Sequence, residues 1–158
     1  MNEQISSVER VRLALAQAGV ETRIEEFPAS TRTAQDAATA IGTSVGQIVK
    51  SLVFYAGEAP VLALMSGSNR LDTDLLAGLT DSVIRKAGAE DVRMATGYAI
   101  GGIPPVGFAR PIPTFIDADL LHYPEIWAAA GTPHHVFRIT PSELVRVTNG
   151  TVRELRTR

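Results

Sequence analysis

The sequence predicts an α/β domain with a mixed, strongly curved, barrel-like sheet surrounded by helices, on three observations. Its β-forming segments are short and numerous, they alternate with segments of helical period, and some of them are joined directly by hairpin-like turns. A regular βαβ repeat would instead place a helix between every pair of strands. The chain of 158 residues suits one domain spanning 1–158 that buries roughly 70% of the surface its unfolded form would expose. Hydrophobic residues at 45% and charged residues at 20% are the balance of a globular protein with a packed core.

The elements follow in order. "SSVERVRLALAQAGV" opens with Ser6 and Glu9 in capping-box spacing and repeats apolar residues at Val8, Val11, Leu13, Leu15 and Ala18 before Gly19, which predicts an amphipathic helix. "ETRIEEF" alternates as a short strand and stops at Pro28. "TAQDAATAIG" offers Thr33 as a cap, Asp36 three residues on and Gly42 as a stop, hence a second helix. "QIVKSLVFYAG" and "APVLALMSG" are two strands of a hairpin around "GEAP". "NRLDTDLLAGL" reads as a short helix, "DSVIRKA" as a strand and "GAEDVRMATG" as a helix closed by Gly97. "YAIGGIPPVGF" is a constrained loop, because its glycines and prolines exclude a regular element. "PTFIDADL", "EIWAAAG" and "HHVFRIT" supply further strands, and "PSELVRV" a closing helix with Pro141 in its first turn.

Composition excludes several functions. The chain has no cysteine, which removes disulfides, thiolate metal sites and cysteine nucleophiles. There is no apolar run long enough to cross a membrane, and "MNEQISSVER" is polar and acidic where a secretory signal is basic and then apolar, so no membrane association and a cytoplasmic location are expected. A net charge of −2 and a pI near 5.9 limit any nucleic-acid contact to a small one. Two lysines stand against thirteen arginines, so a lysine here is not a default surface cation.

One of the two, Lys50, lies in the middle of "QIVKSLVFY". In a strand it shares a face with Ile48, Leu52 and Phe54, while Val49, Ser51 and Val53 face the other way. Either its stem covers apolar surface while the ammonium reaches water, or the ammonium is held at a pocket, where partial desolvation strengthens its grip on phosphate or carboxylate. The pattern leaves both open. The loop "GYAIGGIPPVG" raises a similar choice. Gly101 and Gly102 suit a plain turn, or they let a ligand approach backbone N–H groups on a surface stiffened by Pro104 and Pro105. The loop is neither a Walker loop nor a GxGxxG fingerprint, and no cofactor is expected.

These two motifs in this order, with "TAQDAATAIG" before and "ITPSELVRV" after, resemble the YbaK/prolyl-tRNA synthetase-associated domain family of aminoacyl-tRNA deacylases, from about Phe27 to Val147. The resemblance implies a free-standing hydrolase that edits mischarged tRNA, serving translation fidelity, with an aminoacyl-tRNA synthetase as a further partner. It places the family's pocket lysine at Lys50 and its G-x-x-x-P loop at Gly101 through Pro105, so that Lys50, Gly101 and Gly102 are the catalytic candidates. In the family the loop backbone holds the aminoacyl ester, the lysine positions the terminal adenosine or its phosphate, and a positioned water acts with help from the substrate's own ribose hydroxyl. Ile48 stands where some members carry a threonine, and implies an apolar wall. Ile103, Pro104 and Pro105 complete the implied substrate-binding set, with Tyr98 as a stacking residue for adenine or a core residue, and His134 or His135 as the counterpart of a pocket histidine in some members.

Other residues carry weaker chemistry. Asp117 and Asp119 have same-face strand spacing, yet without a histidine or third carboxylate they do not make a metal motif, and no metal is expected. Ser66 and Ser68 fit a strand-to-helix turn better than a nucleophile. Phe108 stacks or packs, Trp127 is core, and Arg32, Arg70 and Arg110 lie near predicted loops where phosphates would pass. A non-catalytic module holding an aminoacyl-tRNA end, amino acid or partner in the same pocket is the alternative, and a hydrolase of another small acyl ester a third reading.

Overall fold

Capping side chains decide where the helices begin. In the computed structural model, which describes residues 5–158, Ser6 accepts a hydrogen bond from the Glu9 amide and starts α1 (Ser7–Gln17). The start of the polar N-terminal segment, residues 1–4, lies outside the described residues. Thr33 caps α2 (Ala34–Ile41) through the Asp36 amide, and Gly42 ends it at φ 82°, a left-handed turn that suits glycine. Asp72 caps α3 (Thr73–Thr80), Gly97 closes α4 (Ala89–Thr96), and Thr140 with Glu143 forms a full capping box on α5 (Pro141–Thr148).

The strands are β1 (Ile24–Glu26), β2 (Val49–Ala56), β3 (Ala59–Ser66), β4 (Ile84–Lys86), β5 (Thr114–Asp117), β6 (Ile126–Ala129), β7 (His135–Ile139) and β8 (Thr151–Arg153). β2 and β3 form the expected hairpin, with Lys50 opposite Met65 and Ala56 opposite Ala59. The turn is tighter than "GEAP", because Ala59 and Pro60 already belong to β3. β5 lies parallel to β3, and β8 parallel to β5, so the sheet is mixed as expected.

The barrel-like curvature is not what forms. The strands divide into an open five-stranded sheet, ordered β4-β2-β3-β5-β8, and an open three-stranded sheet, ordered β1-β7-β6. The ladder link between them among the described residues is a single parallel bridge from Ile48 to Trp127. Closure needs strands long enough to keep pairing around the circuit, and here the edge strands β1, β4 and β8 are three residues each and the edge strand β6 four.

The two faces of the β2–β3 hairpin enter different cores. Val49, Val53, Leu62 and Leu64 pack with Val11, Ile116, Phe137 and Leu144 in the larger cluster. Val61, Ala63 and Met65 face a smaller cluster with Leu71, Leu76 and Leu155, against which Leu52 and Phe54 also pack. Lys50, by its period-two register, stands on this second face.

Candidate functional site

A cleft opens where β2 loses a partner. β4 pairs only with Phe54, Tyr55 and Ala56, which leaves the earlier part of that β2 edge outside the β4 ladder. On that side β6 joins β2 at the Ile48–Trp127 bridge, and beyond it the two strands become opposite walls of a cleft of about 340 Å³. Ile48, Leu52, Trp127, Ala128 and Val136 make the walls apolar, and the start of α2 and the loop residues Ile100, Gly101 and Ile103 complete the enclosure. Lys50 and Arg32 are the charged side chains in the lining, which holds no carboxylate and no histidine.

Lys50 is half-buried, and its ammonium donates a hydrogen bond of 2.5 Å to the backbone carbonyl of Asn69. Burial pushes its pKa below the ordinary lysine value, and the nearby negative charge of Asp117 opposes that shift. The ammonium is therefore held in place at the cleft and does not simply reach for bulk water.

The Gly/Pro loop is rigid for reasons visible at both of its ends. The Tyr98 hydroxyl donates to the Gly107 carbonyl at 2.7 Å, the Tyr98 ring lies under the Arg10 guanidinium at 4.5 Å, and Phe108 meets it edge-on at 6.1 Å. Tyr98 is 1% exposed, so it is the loop's internal fastener and lies away from the cleft as core. Gly101 sits at φ 94°, and a Cβ there would collide with Arg32 Cγ. Gly102 packs on the backbone of Thr132, where a Cβ would come within 2.7 Å of Cα. The Gly102 amide donates to the Ala99 carbonyl inside the turn, so in this structure it is engaged within the loop. Pro104 and Pro105 are buried behind the loop.

The histidines stand behind the site and line none of it. His134 Nδ1 lies 3.2 Å from the Phe27 carbonyl. His135 bridges Thr132 Oγ1 at 2.5 Å and Glu26 at 3.1 Å, so it supports the turn on which Gly102 rests. Of the three arginines near predicted loops, Arg32 reaches the cleft, while Arg110 lies beside Phe108 on another face. Asp117 and Asp119 both accept hydrogen bonds from the Asn69 amide, at 2.9 and 2.7 Å. Ser66 donates to the Gly46 carbonyl, a structural contact. Sequence reasoning missed Asn69, whose role depends on partners 48 and 50 residues away.

The family model of the aminoacyl-tRNA editing domain matches residues 28–147. An uncharacterised protein of Bacillus subtilis, YwhH, is 30% identical over 139 residues, covering 87% of this chain and 88% of its own. A proposed Cys-tRNA(Pro)/Cys-tRNA(Cys) deacylase of Enterococcus faecalis is 28% identical over 127 residues, covering 79% and 77%. A crystal structure described as a proposed trans-editing enzyme for prolyl-tRNA synthetase superposes with a TM-score of 0.93 at 48% identity, covering 99% of this chain and all of that one. With its lysine strand and G-x-x-x-P loop brought to one cleft, the chain belongs to the aminoacyl-tRNA editing domain family, the YbaK/prolyl-tRNA synthetase-associated group that its motifs resemble.

Proposed function

We propose that the protein is a trans-editing deacylase that hydrolyses the ester between a small, uncharged amino acid and the 3′ end of a mischarged tRNA, with tRNA(Pro) as the tRNA. The observation that carries this reading is the meeting of Lys50, Arg32 and the Gly101 backbone at one apolar cleft with no acidic lining residue. An anionic backbone and an acyl group with an uncharged side chain fit such a site, and a carboxylate-lined pocket would repel the first. The tRNA assignment is supported by similarity to a proposed deacylase and a proposed trans-editing enzyme whose descriptions name that tRNA or its synthetase.

In this mechanism Lys50 holds the phosphate or ribose of the terminal adenosine, and Arg32 takes a further phosphate at the mouth. The Gly101 N–H donates to the carbonyl oxygen as it becomes an oxyanion. A water oxygen bonds to the ester carbon, the bond to the ribose oxygen breaks, and the proton that the water gives up passes to that ribose oxygen, leaving the free amino acid and a terminal ribose hydroxyl. An aminoacyl ester is reactive enough for orientation and charge stabilisation to supply the acceleration without an activated side-chain nucleophile.

The test is hydrolysis of tRNAs charged with alanine, serine, threonine, cysteine and proline by wild type, Lys50→Ala and Gly101→Ala. The wild type should deacylate at least one, with both folded variants slowed by at least about tenfold through lost orientation of the substrate. Bound tRNA with no turnover on the whole panel would instead establish a non-catalytic binding module.

A further inference from the structure

The turn between β3 and α3 and the end of β5 meet beneath Lys50. Asp117 is 1% exposed yet is in no ion pair among the described residues. Its Oδ2 accepts from the Ser66 amide at 3.0 Å and from the Asn69 side-chain amide at 2.9 Å, and its Oδ1 accepts from the Asp119 amide at 3.0 Å. The second hydrogen of the Asn69 amide reaches Asp119 at 2.7 Å. The Asn69 main-chain amide donates to the Ser66 carbonyl at 3.0 Å. Asn69 is thus clamped through its main chain and both donors of its side chain, and its carbonyl is the acceptor for Lys50.

We propose that Asn69 and Asp117 are positioning residues for Lys50, the buried carboxylate fixing through the Asn69 side chain the carbonyl on which the ammonium rests at the cleft. The inference rests on the reading of that cleft as the editing site. A purely structural cap would need only the oxygen acceptors of residue 117, and a neutral side chain can supply one of those. The charge has a separate effect. Asp119 is matched by Arg156 at 3.3 Å and lies 3.9 Å from His122, whereas the field of Asp117 acts on Lys50, opposing the loss of its proton that burial favours. A phosphate-binding lysine must keep that proton.

Lys50 and Lys86 are the two lysines of the chain, so lysine labelled with carbon-13 at Cε gives two NMR signals, assigned with Lys86→Arg. The variants are Asp117→Asn, which keeps the size, removes the charge and leaves one of the two oxygen acceptors, and Asn69→Ala, which keeps the charge and releases the carbonyl. In Asp117→Asn the Lys50 titration should move to lower pH, and the alkaline limb of kcat/KM for mischarged tRNA should move with it. Both variants should lose about tenfold in kcat/KM, equivalent to ~1.4 kcal/mol. If Asp117→Asn does not fold, Asn69→Ala carries the test, with a changed Lys50 signal and the tenfold loss expected. Folded variants with the wild-type Lys50 titration and wild-type kcat/KM would overturn the proposal. A wild type that hydrolyses nothing, while the Lys50 titration still follows Asp117, would retain the positioning of Lys50 and remove the deacylase reading.

Discussion

Gly101 and Lys50 each accept a local disadvantage that the site turns to use. At φ 94° the Gly101 backbone is in a region where a side chain is strained by about 1–3 kcal/mol, and the Arg32 stem fills the space a Cβ would need. Gly101→Ala should therefore displace both loop and arginine, lowering kcat/KM by at least about tenfold while circular dichroism stays that of the wild type. Lys50 is held among apolar neighbours with its pKa lowered by burial, so between that lowered value and the ordinary one the folded protein binds fewer protons than the unfolded chain. Stability then rises with pH across this window, while hydrolysis, in which we propose the ammonium holds the substrate, should fall; parallel melting and activity titrations should cross. Lys50→Met should slow hydrolysis as Lys50→Ala does and raise the melting temperature by about 2–4 °C, the shift expected for ~1 kcal/mol in a domain of this size.

The segment before α2 and the Gly/Pro loop are built to meet. Thr31 is tied to the Pro133 carbonyl through its hydroxyl at 2.9 Å, and the next residue, Arg32, crosses Gly101. Arg32→Ala should raise KM for charged tRNA severalfold with little change in kcat, and reduce the slope of log KM against log salt by about one, the signature of one lost phosphate contact. An unchanged salt slope would remove Arg32 from the tRNA path. The helices were legible because Ser6, Thr33 and Thr140 announce their first turns locally. The start of α3 was not: "NRLDTDLLAGL" suggests a helix from Asn69, but Asn69 is drawn to Asp117 and Asp119 and Leu71 bridges to Arg156, so helix begins only at Thr73. Lys50 and Gly101 were legible through their motifs, whereas the turning of His135 away from the cleft depends on Glu26 and Thr132, which no local pattern reveals.

Across the whole molecule, the part that sequence reading left without structure is the chain after α5. It adds β8 beside β5 and inserts Leu155, fully buried, into the cluster beneath Lys50's face of the sheet. Leu155→Ala should destabilise the fold by about 2–5 kcal/mol through the void it leaves, seen as a fall of roughly 5–15 °C in melting temperature, although the residue lies outside the region matched by the family model. The curvature expected of a barrel failed at this same scale, because strand length and closure are decided by pairings between distant segments. Among the described residues the two open sheets keep one shared rung, from Ile48 to Trp127, and Lys50 and Gly101 stand elsewhere, deeper along β2 and on the loop. On the proposed editing reading, an isoleucine and an indole that carry no reacting group narrow the cleft beside Lys50 and Gly101, so exchanging that pair would change the size of acyl group admitted while the lysine and the loop are kept.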